Sequence, residues 1–102
     1  HEHHTIAAFA GDRTGMDHHS YEAGEWNYLR DWCEHFASRK VQLMWGPGRH
    51  GPGHNLFAFI EDPDGNWIEI SAELEVIHDR PCEDWPHEPR SLNTWGKAIL
   101  RS

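Results

Sequence analysis

The chain has 102 residues and a formal charge of −8, with 17 acidic side chains against 9 lysines and arginines. That length holds one small domain with a core, and not two. The charge argues against nucleic acid or an anionic membrane surface as partner, and no apolar run approaches the ~20 residues that span a bilayer.

Cys33 and Cys82 lie far apart, make no CxxC pair and read as reduced thiols of a cytoplasmic protein. The chain begins His-Glu-His-His, with neither an initiator methionine nor a signal-peptide pattern, and reads as a piece of something longer. Ten histidines and six tryptophans are high counts for this length. They suit a catalytic or aromatic-binding pocket, although tryptophan is also a large core residue.

In chain order, residues 4–10, HTIAAFA, read as a short apolar strand closed by a polar turn with two glycines. Asp17 to Glu22 reads as a second strand, with His18, Ser20 and Glu22 on one face and His19 and Tyr21 on the other. A helix opens at Gly24 and runs to about Arg39. Trp26, Leu29, Trp32, Cys33 and Phe36 form its apolar stripe, while Glu25, Arg30, Asp31 and Glu34 face water. Lys40 to Trp45 reads as a third strand, ended by GPGRHGPG, whose glycines and prolines predict a loop.

Leu56 to Ile60 and Trp67 to Ser71 read as a hairpin around Asp62-Pro63-Asp64-Gly65-Asn66. Within it, alternation puts Glu69 on the opposite face from Ile68 and Ile70. A carboxylate on an inner sheet face is rare unless paired or bound to a metal, so Glu69 is the first candidate for a metal ligand. Phe57, Phe59 and Trp67 share its face and read either as core or as the wall of a pocket for an aromatic ring. His54, in the loop beside His50, is a further pocket candidate. After Glu73 the chain turns rich in proline and tryptophan and reads as a wrap over the outside. His1, His35, His78 and His87 read as surface or hydrogen-bonded histidines.

The order β-α-β-β-β, together with GMDHHSYEA, GPGRHGPG and DPDGNWIEI, resembles the vicinal oxygen chelate superfamily. Within it, the likeness is to the C-terminal catalytic domain of the type I extradiol catechol dioxygenases. It runs from about His3 to Glu73 and on into the tail through LNTWGKAI. The resemblance implies an α+β fold in which residues 1–78 are a partial domain. A βαβββ module at about 16–73 follows a preceding strand, and residues 79–102 form an irregular tail wrapping it. The whole is then a fragment of a paired-module domain.

What the resemblance implies about chemistry is specific. The family holds Fe(II), or alternatively Mn(II), with two histidines and one glutamate, leaving sites open for a catechol and dioxygen. Glu69 matches the glutamate. The family's strand motif G-L-H-H-V-A-F-E-V maps without gaps onto residues 15–23, which makes His18 the ligand, with His19 as the alternative one register away. His50 matches an acid–base histidine near the substrate, and His4, or His3 beside it, matches another. The remaining histidine ligand belongs to the preceding module, and the chain would be completed by that module or by a homo-oligomer. Phe59 stands where the family has a tyrosine near the substrate oxygen. Two other functions fit the same fold: a metal-independent ligand-binding protein similar to the bleomycin-resistance proteins, and a glyoxalase-like metalloenzyme.

Overall fold

The computed structural model describes residues 15–75, 84–86 and 88–99. The strand expected at 4–10, with His3 and His4, lies outside the described residues, as does Cys82. The elements in order are β1 (His18–Gly24), α1 (Trp26–Ser38), β2 (Trp45–Arg49), β3 (Leu56–Glu61), β4 (Trp67–Ala72) and α2 (Pro89–Leu92). They form one mixed sheet in the order β1-β4-β3-β2. β1 runs parallel to β4, while the β4–β3 and β3–β2 pairs are antiparallel. Among the described residues, no helix is long and apolar enough to cross a membrane.

The sequence misplaces β2, and the reason is local. Lys40–Trp45 alternates like a strand, but its first residues are consumed in ending α1. The Lys40 N–H donates to the Ala37 carbonyl and the Val41 N–H to the Phe36 carbonyl, at 3.0 and 2.8 Å. With Lys40 in the left-handed region, at φ 61°, this is a Schellman termination. Pairing to β3 begins only at Met44 and Trp45, and β2 continues through Gly46-Pro47-Gly48, the residues that read as loop.

Two features let this glycine–proline run be a strand. β2 lies at the sheet edge, where the missing N–H of Pro47 breaks no ladder. Its register also slips between Trp45, opposite Phe59, and Gly48, opposite Phe57. That bulge is made at Gly46, which takes φ +95° and passes so close to β3 that a Cβ would sit 2.8 Å from the Phe57 carbonyl oxygen.

The hairpin between β3 and β4 is tied by Asp62, whose Oδ1 accepts from the Asp64 and Asn66 N–H groups at 2.9 and 2.8 Å. These bonds hold the Asp62 carboxyl below its ordinary range. Strand alternation then sorts the two sheet faces. Leu56, Ala58, Ile70 and Ala72 pack with Leu29 and Phe36 of α1, and Cys33 lies against this core as a free thiol. The helix seam is narrower than its apolar stripe suggests: Trp26 and Trp32 remain 36% and 47% exposed. On the opposite face, Phe57, Phe59 and Trp67 form a second cluster with Trp45 against it. This aromatic face is the one that carries Glu69.

Candidate metal centre

Glu69 is only 7% exposed, and both of its oxygens are engaged. Ser20 and Phe59 flank it in register on β1 and β3, so its side chain rises between two strands and is sheltered by both. His18 comes from the first residue of β1, with Nε2 at 3.0 Å from Glu69 Oε1. His50, just past the end of β2, places its Nε2 at 3.2 Å from Glu69 Oε2. Asn55 donates from Nδ2 to the same Oε2 at 3.3 Å and to Ser71 Oγ at 2.8 Å. A charge this deep persists only because donors surround it.

The electrostatics follow from these contacts. Burial pushes the Glu69 carboxyl upward, but the hydrogen bonds from His18 and His50 and their charges outweigh it and draw it down to about 2. His18 moves the other way. Its bond to Glu69 raises it above the ordinary histidine value against the pull of burial, and Asp17 adds to the rise. Asp17 Oδ2 lies 2.7 Å from His18 Nδ1. A carboxylate on one ring nitrogen turns the other, Nε2, toward Glu69, the arrangement that orients histidines bound to metals.

The aromatic wall completes the site. The His50 ring stacks on Phe57, with centroids 3.9 Å apart and planes 9° from parallel. The edge of His18 meets Phe59 at 4.8 Å. Trp45 stacks on Phe59 at 5.2 Å, and Trp67 closes the row at 5.5 Å.

The structure therefore brings together His18, His50, Phe57, Phe59, Trp67 and Glu69 from the sequence reading. His19 is turned to the other side, against Tyr21. His54 stands apart from this row: its ring contact is with Trp85 at 5.8 Å, and its Nε2 is buried without a hydrogen-bond partner among the described residues. Glu22 makes a local bond, accepting from the Gly24 N–H at 2.7 Å. Asp17, Asn55 and Trp45 were missed by sequence reasoning. Asp17 had a usable signal, since it directly precedes His18; the other two had none.

The donor chemistry fits a divalent cation. Two ligand atoms each ~2.1 Å from an ion, at right angles, stand ~3.0 Å apart, which is the separation of His18 Nε2 and Glu69 Oε1. One imidazole and one carboxylate suit the iron and manganese class of metals. Among the described residues, no three His, Cys, Asp or Glu side chains are grouped to hold an ion, so the donors present are two.

The chain is thus a mixed βαβββ sheet with a buried carboxylate held between two histidines on its aromatic face. Residues 1–70 match the family model of the Glyoxalase/Bleomycin resistance protein/Dioxygenase superfamily, and the chain belongs to that superfamily. Among curated proteins it is similar to metapyrocatechase 2 of Cupriavidus necator, 30% identical over 101 residues, covering 96% of this chain and 31% of that protein. Among solved structures it is similar to homoprotocatechuate 2,3-dioxygenase from Brevibacterium fuscum in anaerobic complex with 3,4-dihydroxyphenylacetate. That match has 26% identity and a TM-score of 0.69, over 82% of this chain and 28% of that one. It is also similar to a Mn(II)-bound glyoxalase from Novosphingobium aromaticivorans, with 26% identity and a TM-score of 0.66, over 76% and 27% of the two chains. The chain spans less than a third of the length of each.

Proposed function

We propose that the chain is part of the catalytic domain of an extradiol dioxygenase that opens the ring of a catechol-type aromatic. His18 and Glu69 hold Fe(II), or Mn(II) in its place, and a third ligand comes from elsewhere in the protein. The observation that carries this reading is the pairing of Glu69 with His18 at 3.0 Å, deep beside an aromatic wall. The kinship with metapyrocatechase 2 gives that pairing its chemistry.

The metal, when bound, supplies a common centre through which electron density passes from a catecholate to dioxygen. The chain's own residues do the rest. Asp17 and Asn55 hold His18 and Glu69 in place, so that little reorganisation accompanies binding. Phe57, Phe59 and Trp67, all buried, form the apolar backing of the substrate pocket and keep water from the reacting atoms. His50 keeps Nε2 on the site side and takes a proton from a catechol hydroxyl there. Phe59 gives the ring contact of the family's tyrosine without its hydroxyl, so proton handling at that side of the site falls to His50, and to His4 as a second acid–base group. His54 lines a small cavity with His50 and Trp85, apart from that aromatic wall, and serves the substrate pocket only from there. A second module, of the same protein or of another copy, completes the site with the third ligand.

The test is reconstitution of the full-length gene product with Fe(II), catechol and dioxygen. A yellow ring-opened product and stoichiometric oxygen uptake support the reading. Metal-loaded protein that consumes no oxygen with any catechol overturns it. Ligand binding unaffected by a chelator would instead assign the metal-independent binding function.

A further inference from the structure

Segment 88–97 does more than cover the sheet edge. It runs beside β2 and its loop and bonds to them through the backbone. The Gly51 N–H donates to the Ser91 carbonyl and the Thr94 N–H to the Arg49 carbonyl, each at 2.8 Å. The Asn93 side chain joins both sides: its Oδ1 accepts from the N–H groups of Arg49 (3.3 Å) and Trp95 (3.0 Å), and its Nδ2 donates to the Lys97 carbonyl at 2.8 Å. Asn93 is 5% exposed.

The two glycines that bracket Arg49-His50 have their explanation here. A Cβ on Gly48 would lie 2.6 Å from Asn93 Oδ1, and one on Gly51 would lie 2.7 Å from the Ser91 carbonyl oxygen and 2.8 Å from the Trp85 ring. The GRHG motif is thus shaped to receive this segment. Arg49 ties the same unit together. It donates to the His54 carbonyl at 2.6 Å and to Glu73 Oε1 at 3.0 Å, and lies 5.4 Å over the Trp95 ring.

At the centre of this arrangement, His50 Nδ1 meets the Leu92 carbonyl oxygen. A carbonyl only accepts, so the ring nitrogen facing it carries a hydrogen. With Phe57 stacked on the ring face, neither the tilt nor the flip of the imidazole is free.

We propose that residues 88–97 are a positioning clamp for His50, with Asn93 as its positioning residue. The clamp holds a hydrogen on Nδ1 against the Leu92 carbonyl and turns Nε2 toward Glu69. The clamp itself stands on geometry alone; its effect on turnover rests on the reading of His50 as an acid–base group in ring cleavage.

The experiment uses the full-length protein, chelated and labelled with ¹⁵N-histidine. A ring N–H held in a buried hydrogen bond exchanges slowly with water and gives its own ¹H–¹⁵N signal, whereas a free one is lost to exchange. Wild type is expected to show this signal for His50 Nδ1–H. Asn93→Ala removes the clamp's tie, and Gly51→Ala pushes the segment away from the other side without touching Asn93. Both are expected to lose that signal. In the iron-loaded proteins both are expected to lower kcat by about tenfold with KM within about twofold, the cost usual for losing an orienting partner. Absence of the Nδ1–H signal in wild type overturns the proposal, as do variants that keep both that signal and the wild-type kcat. If the wild-type protein opens no catechol ring, the activity reading fails while the Nδ1–H measurement still decides the clamp.

Discussion

Replacing Glu69 by glutamine keeps the side chain's shape and removes its charge, and the structure sets what that charge contributes before any metal binds. The carboxyl is drawn from 4.5 down to about 2 because the bonds from His18 and His50 outweigh burial. That displacement corresponds to at most about 3 kcal/mol in favour of the ionised form. A carboxyl lowered in this way contributes stability above its ordinary value and loses it as pH falls toward about 2. His18, raised chiefly by its bond to Glu69, contributes stability below about 6.5 and loses it as pH rises through its raised value. The pair is therefore at full strength between about pH 4.5 and 6.5.

Hydrogen exchange of the β4 amides in the chelated full-length protein reads this locally. Glu69→Gln is expected to lower their protection by up to about a hundredfold near pH 6, with the deficit narrowing as pH rises past the His18 transition. Equal protection at pH 6, or a deficit that grows with pH, would refute the reasoning.

Two further outcomes bear on the same site. Asp17→Asn is expected to weaken metal binding about tenfold in a competition titration, the low end for an orienting partner, because Asp17 is half exposed; unchanged affinity would remove it from the site. Asn55→Ala takes a donor from both Glu69 Oε2 and Ser71 Oγ, two buried acceptors. It should cost about 2 kcal/mol, read as a drop of several degrees in the melting temperature of the chelated protein.

Much of the site was legible because it depends on period-two alternation. Glu69, Phe57, Phe59 and Trp67 fall on one face by counting alone, and the ungapped motif match put His18, not His19, on the same side of β1. The strand at Trp45–Arg49 was not legible, since its pairing depends on a bulge at Gly46 and on lying at an edge, neither of which leaves a hydrophobic pattern. The width of the helix stripe was misread for a related reason. Trp26 and Trp32 have the right spacing, but the sheet offers room only to Leu29, Cys33 and Phe36. The Asn55 and Leu92 contacts are invisible in sequence: one is a side-chain bond from the loop before β3 to β4, the other a backbone carbonyl that any residue would supply. The glycines of GRHG were conspicuous, but the segment that requires them lies some forty residues away.

The central claim is that His18 and Glu69 hold the metal together. Anomalous diffraction from crystals of the iron-loaded full-length protein, recorded on both sides of the iron edge, tests it most directly. The account predicts one iron peak at ~2.1 Å from both His18 Nε2 and a Glu69 oxygen, with His50 Nε2 outside bonding distance of the ion. Iron bonded to His19 or to His50, or an iron site that does not include Glu69, would contradict it.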